Sequence, residues 1–217
     1  MPLPVAPLWA LVPLRTDGVP LLKVGGTPQA PGPLDWPVCE MCGKPLRFLF
    51  QLPHIEGRLD LAPYASVHVF QCENPDSVCF RWDPEEGANA AVPVMAGAPV
   101  VVESPEGVKP YAEWMLGFEP ATEDTEALSV DVNEASDEQL AALDRAQEEA
   151  PESKVGGVPG WLNGDATPEC CDAPMRFVAQ LAAMPYGLEF GDNGRGYVFR
   201  CTREDCVRPF RFLTQGA

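Results

Sequence analysis

The chain has 217 residues, 46% of them hydrophobic, with 25 prolines, 19 glycines, 8 cysteines and a formal net charge of −17. That length fits one large domain or two small ones, and the proline and glycine load favours short strands joined by turns over long helices. The charge argues against a nucleic-acid or anionic-membrane surface, which needs Lys and Arg, and suits solubility or a basic protein partner.

The chain opens on an apolar stretch, Met1 to Leu14, interrupted by Pro4, Pro7 and Pro13. No basic segment precedes it and no small-residue cleavage site follows, so it does not read as a signal peptide. No apolar run approaches the ~18 residues of a membrane span. The expected setting is soluble and cytoplasmic, where disulfides are rare and eight cysteines point to metal or redox chemistry.

A first repeat is predicted within residues 1–118. It begins at a Gly-Gly-x-Pro turn, Lys23-Val24-Gly25-Gly26-Thr27-Pro28. The knuckle Cys39-x2-Cys42 follows, with Trp36-Pro37 beside it as a packing anchor. Leu46 to Leu52 reads as a strand with Leu46, Phe48 and Phe50 on one face and Arg47, Leu49 and Gln51 on the other. A second strand runs from Val67 to Cys72, a loop carries Cys79, and Phe80-Arg81-Trp82 is read as the third strand.

Residues 119–150 form an acidic connector. Between residues 119 and 152 there are twelve acids and one base, Arg145. Glu119 to Asn133 has no clear period and reads as loop or disorder. Ser136 and Gln139 have the spacing of a capping box, and Leu140, Leu143 and Ala146 follow on one side of a helix near residues 137–149. The run reads either as a solvated linker or as an electrostatic arm for a basic client.

A second repeat spans residues 151–217. Lys154-Val155-Gly156-Gly157-Val158-Pro159 repeats the opening turn, and Cys171, Pro174, Arg176, Phe177, Gln180 and Leu181 repeat Cys42, Pro45, Arg47, Phe48, Gln51 and Leu52. Val198-Phe199-Arg200-Cys201 repeats Val69-Phe70-Gln71-Cys72, still at an offset of 129 residues, and Cys206 matches Cys79 after a two-residue slip. The predicted strands are Met175 to Leu181, Gly196 to Cys201 and Phe210-Arg211-Phe212. The expected fold is therefore mainly β, a pseudo-twofold duplication of an antiparallel unit with one zinc knuckle per repeat and one connecting helix.

Cys39, Cys42, Cys72 and Cys79 have the pattern of a four-thiolate zinc site, in which a knuckle pair and a pair from a neighbouring hairpin complete a tetrahedron. The second set is Cys170, Cys171, Cys201 and Cys206. Adjacent cysteines in an extended chain point apart, so Cys170 and Cys171 can share an ion only through a local bend. Asp172 or Asp205 is a possible oxygen ligand that four cysteines make unnecessary. Two structural zinc ions are expected, each saturated by sulfur and without a position for water or substrate. For the first set the alternatives are inert buried cysteines or a redox role for the Cys39–Cys42 pair, and for the second a degenerate site with three ligands or a thiol pair. His54 and His68 read as surface or packed residues. The glycine pairs have no GK[ST] continuation and do not read as a phosphate loop. No catalytic residue is assigned.

Lys154-Val155-Gly156-Gly157-Val158-Pro159-Gly160-Trp161-Leu162, with Cys171-x2-Pro174-Met175-Arg176-Phe177-x2-Gln180-Leu181 and Tyr197-Val198-Phe199-Arg200-Cys201, resembles the programmed cell death 2 family. Lys23 to Pro28 with Asp35-Trp36-Pro37 and Phe48-x2-Gln51 resembles the related, bacterial YwqG-like family of unknown function, as does Gly191-Asp192-x-Gly194-x2-Tyr197. The resemblance covers about residues 20 to 85 and 151 to 214. It implies a β-rich pseudo-twofold fold with no established enzyme activity. For eukaryotic relatives it implies a chaperone of a small-subunit ribosomal protein, and for bacterial ones an immunity or housekeeping binding role. This chain lacks the inserted zinc finger of some members, and its second knuckle is Cys-Cys. The expected function is protein binding, with chaperone-like shielding of a basic client, as a monomer or a dimer. The alternatives are a thiol–disulfide oxidoreductase using Cys39 and Cys42, and an immunity-type inhibitor.

Overall fold

Short β-branched and aromatic segments bounded by Gly, Pro and Asx residues set the architecture. The computed structural model describes residues 6–14, 21–98 and 100–216. The part of the apolar opening before residue 6 lies outside the described residues. The first half holds β1 (Trp9–Leu14), β2 (Lys23–Val24), β3 (Gln29–Ala30), β4 (Arg47–Pro53), β5 (Ser66–Gln71), β6 (Asn89–Val94), β7 (Val100–Val101) and β8 (Trp114–Pro120). Two helices follow, α1 (Thr125–Leu128) and α2 (Asp137–Glu149). The second half holds β9 (Lys154–Val155), β10 (Glu169–Cys170), β11 (Ala173–Pro174), β12 (Arg176–Ala182), β13 (Arg195–Arg200) and β14 (Phe210–Gln215).

Ten strands form one antiparallel sheet in the order β14-β13-β12-β9-β1-β8-β2-β4-β5-β6. It curls until β6 and β14 lie against each other, so the sheet is nearly closed. Phe50 packs on Phe212 and Tyr64 on Phe210, with ring centroids 5.9 and 5.6 Å apart, and join the halves across that gap. The order reads the same from both ends about the β1–β8 seam. Trp9 stands opposite Val155 just as Trp114 stands opposite Val24. The strand that opens the chain therefore completes the C-terminal half of the sheet.

The expected alternation along residues 46–52 breaks at one residue. Phe48 pairs with Phe70 but Phe50 pairs with Val69, so Leu49 is an inserted bulge residue. Val178 is the same insertion between Phe177 and Ala179. Leu46 and Phe48 face the cysteine cluster, whereas Leu49, Phe50 and Leu52 turn into the main core. Phe50 is thus on the opposite face from Phe48. The carbonyls of the bulged residues accept the Gly25 and Gly156 N–H groups at 2.7 and 3.0 Å. These glycines have φ of +65° and +71°. A Cβ on them would lie 2.1 Å from the Ala112 carbonyl oxygen and 1.9 Å from that of Pro7. Both the sign of φ and the close approach require glycine.

The third strand of the first repeat is β6, not Phe80-Arg81-Trp82. The Cys72 N–H reaches the Ala88 carbonyl, sixteen residues on, whereas the Cys201 N–H reaches Pro209, eight residues on. The longer loop holds Phe80 to Trp82 in turns closed by Arg81 N–H to the Cys79 carbonyl and Asp83 N–H to the Phe80 carbonyl.

The connector is also more ordered than its composition predicts. Asp124 caps α1 by accepting from the Ala127 N–H, and Ser136 with Gln139 forms the capping box of α2. Leu128, Leu143 and Ala146 bury together. Glu123 fastens the segment: it pairs with Lys154 and accepts the Val158 N–H at 2.7 Å. Lys23 makes the corresponding pair with Glu113, but Glu113 is 48% exposed while the Glu123 side chain is 2% exposed. Removing one partner of a fully buried pair leaves an uncompensated charge. Glu123→Gln keeps an acceptor for Val158 and should cost about 3 kcal/mol in chemical denaturation. Glu113→Gln should cost less, because water reaches that pair. Equal effects would contradict this account.

Candidate metal centres

The first cysteine set is assembled by two neighbouring hairpins. A bridge between Val38 and Pro45 closes the first, with Cys39 N–H donating to the Lys44 carbonyl and Gly43 N–H to that of Cys39, both at 2.8 Å. Gly43 has φ +69° and turns the chain back. Cys72 follows the last residue of β5, and Cys79 sits in the loop beyond it. The four Sγ atoms lie within 4.8 Å of one another, with Cys42 and Cys72 3.7 Å apart. Leu46, Phe48 and Phe70 pack behind them, and Trp36 closes the cluster edge-on to Phe70 while its Nε1–H donates to the Leu46 carbonyl.

In the second set the knuckle is shorter by two residues. Cys170 pairs with Ala173 across the β10–β11 turn, so Cys171 and Asp172 are its two central residues. Both have positive φ, +53° and +62°, as a type I′ turn demands. This is the bend that adjacent cysteines need. It brings Cys170 to 3.8 Å from Cys171 and 3.5 Å from Cys206, with Cys201 in the same group. A tetrahedron with metal–sulfur bonds of about 2.3 Å has edges of about 3.8 Å. All eight cysteines are free thiols. The two groups are compatible with binding two metal ions.

Their electrostatics suit a cation. Burial raises the Cys79 thiol to about 11 and the Cys170 thiol to about 12, and it raises Cys72 as well. Two thiols depart from this: Cys42 is lowered to about 7 chiefly by the Lys44 backbone N–H, and Cys201 is lowered against its burial by the Arg203 backbone N–H and the neighbouring thiols. Four such sulfurs cannot all lose their protons without a compensating charge, and a bound divalent ion supplies it.

The histidines stand apart from both sets. His54 Nδ1 accepts from the Leu61 N–H at 3.0 Å in a loop. His68 is fully buried on β5, where its Nε2 contacts Ser66 Oγ at 2.9 Å and burial lowers its pKa to about 3. Asp205 is held by Arg203 at 2.6 Å, which leaves the second centre its sulfur donors. The sequence reading missed the exposed Phe80 and Trp82, whose rings pack on each other at 5.3 Å, because aromatic residues after Cys79 look like a strand. The chain matches no protein-family model, and no curated protein is significantly similar to it.

The centres differ in exposure. Cys39, Cys72 and Cys79 are buried, whereas Cys171 is exposed and Cys170 and Cys206 are half-buried. Metal should therefore leave in two phases when the loaded protein is challenged with excess chelator, and Cys171→Ala should remove only the faster one. A single phase, or loss of the slower phase in Cys171→Ala, would contradict the assignment.

Proposed function

We propose that the protein is a zinc-stabilised protein-binding module, chaperone-like towards a basic client, and not an enzyme. The carrying observation is the pair of all-sulfur, four-donor groups, in each of which the Sγ atoms lie within 4.8 Å of one another. Zinc suits such a set, being content with tetrahedral thiolate ligation and free of redox chemistry. With four sulfurs bound, no coordination position is left for water or substrate, so the ions would contribute folding energy. The net charge of −17 favours a basic partner. The resemblance to the YwqG-like and programmed cell death 2 families points the same way.

A redox role for Cys39 and Cys42 has one observation in its favour, the lowered pKa of Cys42. Against it, Cys39 is fully buried and both thiols belong to a four-sulfur group. The Ser66–His68 pair resembles a nucleophile and base, but both residues are fully buried and cannot meet a substrate. An immunity-type inhibitor would also act by protein binding and differs only in its target.

Affinity capture from native lysate with the metal-loaded protein tests the reading. A basic protein should be enriched over capture with a charge-matched acidic control. Capture no better than the control would contradict it.

A further inference from the structure

The acidic connector is a fixed wall, not a free arm. Leu128, Leu143 and Ala146 bury together, and Glu123 is locked to Lys154 of the second repeat. Between the connector and the chain that follows β9 runs a groove of about 550 Å³. This is within the range of about 300–1,000 Å³ found for ligand clefts. Leu128, Leu143 and Trp161 give it an apolar floor, and Asp131, Asp144 and Asp165 are its only charged side chains. All three carboxylates are exposed, and no Lys or Arg is among the lining residues.

The floor is held in place before anything binds. Trp161 stacks on Phe199 with ring centroids 5.7 Å apart and planes at 11°. Its carbonyl accepts from Gln147 Nε2 of α2 at 2.9 Å. Such prior fixing reduces the entropy lost on binding.

We infer that this groove docks an extended peptide segment of a partner protein in which Lys or Arg residues flank an apolar side chain. The inference deepens the protein-binding reading and rests on it. An apolar residue of the segment covers the Leu128–Leu143–Trp161 floor, and its cationic neighbours reach the three aspartates. A second copy of this chain is a poor occupant, since each copy carries −17. Nucleic acid is excluded on the same ground of like charge.

The test uses the full metal-loaded protein and a fluorescent peptide of alternating Lys and Leu, read by anisotropy at low and moderate salt. One variant combines Asp131→Asn, Asp144→Lys and Asp165→Asn. The asparagines keep the side-chain acceptors that Asn133 N–H and Thr167 N–H use. A control variant, Glu56→Lys with Asp192→Lys, changes exposed acids elsewhere and raises the net charge by the same amount. The wild-type protein should bind the peptide, more weakly as salt rises, and the groove variant should bind about tenfold more weakly than the control variant. Equal weakening in both variants would mean diffuse attraction to an acidic protein and would overturn the inference. So would failure of the wild-type protein to bind. In either case affinity capture still decides the protein-binding reading on its own, and a captured partner that binds the groove variant undiminished would overturn the groove alone.

Discussion

Four sulfur atoms crowded within 4.8 Å can give up their protons together only in the presence of a cation. If a metal ion fills each group, the rest of each half leans on that constraint. The segments that carry the second pair of cysteines in each half, residues 72–88 and 201–209, contain no strand of the large sheet and few backbone hydrogen bonds of their own. A metal ion at each sulfur group would tie the end of β5 or β13 to the neighbouring knuckle hairpin. The aromatic residues beneath, Phe48 and Phe70 in one half and Phe177 and Phe199 in the other, could then pack against a fixed roof.

The two halves share their fastenings and differ at their edges. Both halves retain the buried lysine, the paired glycines and the bulge whose carbonyl receives the first glycine N–H. Gln51 and Gln180 also remain buried, tying the strand to the opening turn. What changed lies outside this framework. The first half has a longer loop after Cys79, and the second has a shorter knuckle. The second half also takes its acidic partner from the connector.

Much of this was legible in the chain because it depends on local chemistry. The capping box of α2, the glycine turns and the cysteine spacing each need particular residues at fixed separations. The bulge was not legible, since Leu49 is as apolar as the residues beside it and only the pairing partner reveals the slip. β6 was hidden because Asn89-Ala90-Ala91-Val92-Pro93-Val94 has weak alternation, whereas Phe80-Arg81-Trp82 has strong strand propensity in a loop that turns too soon. The match of Trp9 to Trp114 was obscured by its offset of 105 residues, different from that of the other repeated segments, because the strands cross between halves. Order in the connector rests on Glu123 and Lys154, which are 31 residues apart in sequence and meet only in the fold.

Metal content per chain, measured with a free-thiol count on protein purified without chelator, tests the central claim most directly. The account predicts two zinc ions per chain and no reactive thiol until the metal is removed or the chain is denatured. A folded, metal-free protein whose Cys39 and Cys42 react readily would contradict it and favour the redox reading.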